Sequence, residues 1–451
     1  MTISQQIARF VVDFSSEEFS SKLDAEVFQI LKLSLVDWCT VGIAGKDEPV
    51  SRIVRRLALA DGGRAVSAVF GSHEKLPPKA AALVNGTISH ALDYDDTHFM
   101  HVGHTSVVVF SACLAIAEAH GSTGRQFLEA ALIGSEVCCY AGRWLGRSHY
   151  QAGFHQTATA GTFGATAAAC RLLGLNHEQT CHAIGLAATR ASGLTSQFGT
   201  MSKPYHAGMA ASNGVEAALL ASAGFTARQD GLECDRGFGQ THQGEQGFDD
   251  GATPSIGDEF VFAAVQHKFH ACCHGLHACI EALQELKHRH NINSTRIESI
   301  TVETNPRWLK VCNVAKPSTA LESKFSYRHS CALVFSDYDS SALSTYTDEC
   351  CADSTLENVR ERTHVVADSN LNDTTSSVRV RQFDGSTYQA VHDLANILPT
   401  LTRKRRVLQK SQVLLGEQIS ADLWSKISGV ELLDADEFSL FCDFVLDGKV
   451  R

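Results

Sequence analysis

The chain has 451 residues, 44% of them apolar and 20% charged, with a net charge of −11. That composition excludes a disordered chain, and the acidic balance argues against a phosphate-binding face for nucleic acid. A chain of this length is expected to fold as two domains.

The first residues, MTISQQIARFVVDF, lack a basic n-region, a long apolar run and a small-residue cleavage site, so no signal peptide is expected. The longest uncharged apolar run, Val107 to Ala117, is too short to span a bilayer. Fifteen cysteines without an export signal read as buried, reduced thiols, which places the protein in the cytoplasm.

Residues 1 to about 265 read as successive helices. The first chemistry-bearing stretch is NGTISHALDYDDTHFMHVGHTS, residues 85–106, which holds four histidines and three aspartates. Such mixed Asp/His clusters beside glycine suit a site better than a solvated surface. A helix over 79–93 would put His90 and Asp93 on one face, with Thr97 in the following loop and Gly103-His104-Thr105 as a turn beside it. An imidazole placed there is suited to general acid or base work.

Capping-box patterns at Thr123/Gln126 and Asn176/Gln179 mark two more helix starts, and HEQTCH at 177–182 falls on the second. Its histidines are five apart, one too many for a zinc-protease motif. GFHQT places His155 before a Gly- and Thr-rich helix. Lys203 precedes Pro204, which is expected to hold it extended and aim its ammonium into a cleft. GFGQTHQG at 237–244 misses the dinucleotide spacing and follows no strand.

HKFHACCHGLHAC, 267–279, is the one zinc candidate. On a helix, His270, His274 and His277 would share a face near Cys272, Cys273 and Cys279. No second cluster of matching ligands accompanies it. Beyond residue 265 the pattern changes. RIESITVETN (296–305) and SSVRVRQFDGSTYQAVH (376–392) alternate as strands do, and DGST at 384–387 supplies a hairpin turn. From Ser411 to Phe444 the chain reads as helical again. The expected architecture is mainly α: an all-helical domain from both termini (1–265 and 405–451) with a smaller inserted α+β domain (266–404).

Four stretches together resemble the MmgE/PrpD family: VNGTISHALDYDDTH (84–98) with GHTS (103–106), GFHQTATAGTFGATAAACRLLGL (153–175), FGTMSKPYHAGMAASNG (198–214) and KFHACCHGLHACIEAL (268–283). That family contains 2-methylcitrate dehydratases, cis-aconitate decarboxylases and iminodisuccinate epimerases. The resemblance implies the same two-domain fold with the α+β domain as a lid, a homodimer, and no metal or cofactor. It also implies a small di- or tricarboxylate substrate attacked by α-proton abstraction, with no nucleic-acid or membrane partner.

By the same resemblance, Asp93, Thr97, His104, His155, Lys203 and Lys268 are the catalytic residues, and His277 falls at the last position of a family pattern; Tyr205, His277, Arg328 and His329 are the expected substrate contacts. Dehydration is the first expectation, decarboxylation the alternative and epimerisation the third; an inactive binding protein and a zinc hydrolase are the readings from other classes. The chain departs from the family pattern at Thr105, at K-F-H-A (268–271) and at FSYRH (325–329), where His329 stands in place of a tyrosine.

Overall fold

A computed structural model of the chain describes residues 1–15, 25–242, 256–257 and 259–447. They fall into two compact units, Met1–His267 with Thr400–Arg451, and Lys268–Pro399.

In the first unit, side chains rather than sequence propensity set the helix starts. Thr2, Thr123 and Asn176 each close a capping box with the residue three on, starting helices Ile3–Asp13, Gly124–Gln151 and His177–Arg190. Each such cap is worth about 1 kcal/mol. The core is a run of helices apolar on all sides. In Ser106–Ala119, every residue from Ser106 to Ala117 is buried. Helix Ala25–Gly45 contributes Trp38, whose ring lies 4.9 Å from Phe70 and 5.9 Å from Phe110. Its Glu26–Gly45 stretch is long and apolar enough to cross a membrane by length and composition, but most of it is buried inside the fold. The C-terminal segment returns to this unit as helices Thr400–Leu415, Glu417–Ser428 and Ala435–Asp447, and the Phe438 ring lies tilted 5.1 Å from that of Phe127.

Glycine lets two of these helices touch backbone to backbone. A methyl group on Gly208, in helix Ser202–Ser222, would sit 2.1 Å from the Leu83 carbonyl oxygen. One on Gly86, in helix Pro78–Ser89, would sit 2.7 Å from the Gly208 Cα. No side chain larger than hydrogen fits either place. The contact draws the C-terminus of one helix towards the N-terminus of the other, and both ends carry histidines.

Three expectations change here. The unit is not all-helical, because β1 (Ser67–Val69) and β2 (Ser72–Leu76) form a short antiparallel ribbon. The helix expected over 79–93 ends at Ser89, with His90 as its cap and Asp93 in the left-handed region at φ 50°. Lys203 is helical, not extended, since Pro204 falls in the first turn of Ser202–Ser222, where its missing N–H is not needed. Of GFGQTHQG, Phe238–His242 is a short helix, and residues 243–244 lie outside the described residues.

The second unit is a four-stranded sheet in the order β4-β3-β5-β6 with helices. β3 (Ile297–Thr304) runs parallel to β4 (Thr363–Ala367) and antiparallel to β5 (Thr375–Gln382), which pairs antiparallel with β6 (Thr387–Asp393). Ile300, Val302 and Thr304 are buried at alternate positions of β3, and Ile297 is buried out of phase with them, across the register shift between Ile297 and Ser299. The β5–β6 turn is the expected one: Gly385 takes φ 86°, Asp384 Oδ1 accepts from Ser386 N, and Gln382 N donates to the Ser386 carbonyl. Helix His277–His290 packs on β5 and β6. It begins at His277, so His270 and His274 precede it and the three histidines do not share a helical face.

Candidate active site

Asp95 is the centre of the site in the first unit. It is fully buried, and one carboxylate oxygen lies 2.8 Å from His90 Nδ1 while the other lies 2.7 Å from His104 Nδ1. Burial alone raises a carboxyl, but the His104 and His90 imidazoles outweigh it and hold Asp95 well below the usual carboxylate range. His90 Nε2 is buried with no hydrogen-bond partner among the described residues.

The cluster extends through His104. Its Nε2 lies 3.5 Å from Asp93 Oδ1, and the other Asp93 oxygen lies 2.7 Å from the Lys203 ammonium. The His104 backbone is pinned as well, its N–H donating to Thr157 Oγ1 in the first turn of helix Gln156–Leu172. His90 meets His104 edge to face at 4.6 Å and stacks over His155 at 6.2 Å. His155 occupies the N-cap position of Gln156–Leu172, where Phe198 meets its ring edge-on at 4.9 Å. Burial, then the positive charge of Lys203, push His155 well below the usual imidazole range, so it is neutral at pH 7. Its Nδ1 is 3.1 Å from His206 Nδ1.

Behind this surface a second set of buried polar groups fixes the 93–96 loop. Lys410 reaches from helix Thr400–Leu415 to Asp37 at 2.6 Å and donates to the Tyr94 carbonyl, its ammonium 4.0 Å from the Tyr94 ring centre. Asp96 turns away from the site and accepts from the Ser106 N–H and hydroxyl at the start of Ser106–Ala119, a favourable place for a carboxylate. Burial pushes Asp96 up to about 7.

The structure therefore brings Asp93, His104, His155 and Lys203 together. Thr97 sits three residues past the Tyr94 carbonyl, bridged by paired backbone bonds to Gln266 and 7% exposed. Tyr205 is 42% exposed on the Lys203 helix. The other candidates belong to the second unit. Lys268 opens it and is buried. His277 is buried, with Nε2 3.3 Å from the Cys272 carbonyl and the His270 and His274 rings each 4.9 Å away. Arg328 donates to Asn313 at 2.7 Å. His329 is buried and pushed down to about 4 by burial and then by Arg360, whose Nη1 lies 3.4 Å from its Nδ1. The neighbouring Tyr327 cannot stand in for a tyrosine at 329, because its hydroxyl is tied to the Gly275 carbonyl at 2.7 Å and to Thr304 at 3.0 Å.

Asp95 and His206 are absent from the sequence-derived set. The D-Y-D-D run does not say which aspartate faces inward; the left-handed Asp93 decides that by turning the chain. His206 becomes visible once Lys203 is placed on a helix, since i,i+3 residues share a face. The extended reading of Lys203 hid it.

As to metals, the ligand atoms of His90, Asp93, Asp95 and His104 lie within 4.8 Å of one another. These donors already satisfy each other and an ammonium: both Asp95 oxygens face imidazoles, and Asp93 faces Lys203. A cation there would have to displace Lys203. In the segment 267–279, His270 is held instead by Ser340 at 2.8 Å and Glu281 at 3.1 Å.

A mainly helical unit holds a buried carboxylate between two imidazoles with a lysine at its edge, groups of the kind that carry protons, and an α+β unit follows it in the chain. Models of the MmgE/PrpD N-terminal and C-terminal domains match residues 5–250 and 270–421, and the chain belongs to the MmgE/PrpD family. It is 31% identical over 289 residues to a cis-aconitate decarboxylase-like protein of Aspergillus oryzae, covering 59% of this chain and 58% of that one. To the cis-aconitate decarboxylase of Homo sapiens it is 32% identical over 226 residues, 48% of this chain and 46% of that one. To that of Aspergillus terreus it is 28% identical over 300 residues, 62% and 60% of the two chains. The matched stretch thus spans less than two thirds of each of these relatives.

Proposed function

We propose that the protein is a cofactor-independent lyase that decarboxylates an unsaturated tricarboxylate of the cis-aconitate type. The observation that carries this reading is the Asp95 carboxylate gripped by His90 and His104 with the Lys203–Asp93 pair alongside. The names of its relatives favour decarboxylation over the dehydration that the sequence placed first.

In such a substrate the carboxylate on the methylene carbon leaves as CO₂. Its C–C bonding pair becomes a terminal double bond, the old double-bond pair moves to the next carbon, and that carbon takes a proton. A proton donor and a cation are what the step requires. His104, backed by Asp95, is the donor: the carboxylate stabilises the imidazolium that must form before the proton is given up. Lys203 binds a substrate carboxylate and offsets the charge that develops beside it. His155, kept neutral, orients substrate by a hydrogen bond. Thr97 and Lys268 belong to this proposal as further catalytic residues, and Tyr205, His277, Arg328 and His329 as substrate contacts; the working protein is a homodimer with neither nucleic-acid nor membrane partner. All fifteen cysteines are free, which supports a cytoplasmic setting.

The test is incubation in D₂O with cis-aconitate, 2-methylcitrate, citrate, isocitrate and iminodisuccinate, followed by proton NMR. Release of CO₂ from cis-aconitate with a deuterated, methylene-bearing dicarboxylate supports the reading. Loss of water from a hydroxy acid would make it a dehydratase, and exchange without a new skeleton an epimerase.

A further inference from the structure

We propose that His206 is a positioning residue that decides which ring nitrogen of His155 carries the proton. The inference rests on the reading of His155 as a substrate-facing residue, but its geometry does not. The two Nδ1 atoms lie 3.1 Å apart, with ring centres at 5.3 Å. Only one proton fits between them. Two N–H groups would repel, and so would two lone pairs, so one ring donates and the other accepts. Whichever way the bond runs, it fixes the other end of His155: with Nδ1–H donated to His206, Nε2 is a bare base; with Nδ1 accepting, Nε2–H is a donor.

The surroundings keep the pair neutral and immobile. His206 is 7% exposed and His155 is 2% exposed. Burial lowers both imidazoles. His155 also feels Lys203, His90 and His104, and His206 feels His90, so neither ring gains a second proton near neutral pH. Phe198 meets the His155 ring edge-on at 4.9 Å, and the His155 backbone N–H donates to the Gly193 carbonyl at 2.9 Å. His206 is held by the helix that carries Lys203, one turn earlier on the same face. The cation and the tautomer-setting ring therefore move as one body.

The experiment is long-range ¹⁵N–¹H NMR of histidine-labelled protein, which reads the tautomer of each imidazole without any turnover. In the wild type, His155 is expected as a single neutral tautomer. In His206→Phe it becomes an average of two, and in His206→Asn, whose amide offers an acceptor and a donor near the same place, the single form returns. With a turned-over substrate, His206→Phe lowers kcat about 10- to 100-fold at little change in KM, and His206→Asn recovers most of it. A single tautomer persisting in His206→Phe overturns the proposal. If that variant does not fold, the wild type decides: a coupling between the two Nδ1 nuclei across the bond supports it, and both rings resolved without one overturns it. A protein inert towards every acid in the panel, yet showing the tautomer change, sinks the decarboxylase reading and leaves this one standing.

Discussion

Asp95 and Asp96 are consecutive in the chain and face opposite ways. Asp95 takes the two imidazoles of the site, and Asp96 takes Ser106 behind it. Replacing each by asparagine should separate their roles. Asp95→Asn leaves His90 and His104 without the charge that orients them, and turnover should fall about 10²- to 10⁴-fold with the fold retained. Asp96, pushed up to about 7, is already largely protonated below that pH. Assayed below pH 7, Asp96→Asn should keep turnover within about threefold, because the isosteric amide then replaces a mostly neutral group. Steady-state rates with circular dichroism on both variants check the contrast, and equal losses would contradict it.

Lys203→Met should cost about 10²- to 10³-fold in kcat/KM, the scale for removing one preorganised group that stabilises developing charge. Lys203→Arg should not restore it, since a planar fork cannot replace a point ammonium 2.7 Å from the half-buried Asp93 carboxylate. A methionine variant at full activity would remove Lys203 from the reaction.

Acid should destabilise the fold. Burial pushes His98 and His149 down to about 4, and His101, His155, His267 and His277 well below their usual value. Unfolded histidines take protons near 6.5, so between about pH 6.5 and 4 the unfolded chain binds protons that the folded one refuses, and stability falls with pH. Asp96 and Glu136, raised to about 7 by burial, work the other way: folded, they keep protons that the unfolded chain releases above about 4, so each adds stability as pH drops through that window. The lowered imidazoles, with His329, His206 and His242 among them, outnumber the raised carboxyls, which include Glu118, and the net is a loss. Melting followed from pH 7 to 4.5 should show Tm dropping on the order of 5–10 °C; a flat or rising Tm would contradict the balance.

Chelation should change nothing. The Lys203 ammonium on Asp93 competes with any cation for the His90–Asp93–Asp95–His104 donors. Dialysis against EDTA should leave Tm and turnover as they were, and metal analysis should find no stoichiometric zinc. Activity lost to EDTA and restored by zinc would reverse this.

The mainly helical fold with a small sheet was legible because its signals are local. Capping boxes at Thr123 and Asn176, the alternation of 297–304 and the DGST turn each act within a few residues. What was hidden depended on distant contacts. Helix Pro78–Ser89 stops short because the loop beyond it is held by Lys410, more than 300 residues away, and by Asp96 folding back onto Ser106. The β1–β2 ribbon was missed because SHEKL reads as a polar loop; its partner gives it pairing, not its own pattern. The site residues were named from a family resemblance. Composition and spacing pointed to the 85–106 stretch but could not choose among its aspartates.

The Gly86–Gly208 contact bears on how such a site can change. Where two helices meet through side chains, a larger or smaller residue shifts them and the chemistry drifts with it. Here the main chains themselves are in touch, so the gap between the helix ending at His90 and the helix bearing Lys203 and His206 is a hard gauge with no shim to replace. Divergence towards another acid would have to leave those two helices alone and work through the exposed Leu194–Met201 connection, where Leu194, Phe198 and Met201 can be exchanged without moving the frame.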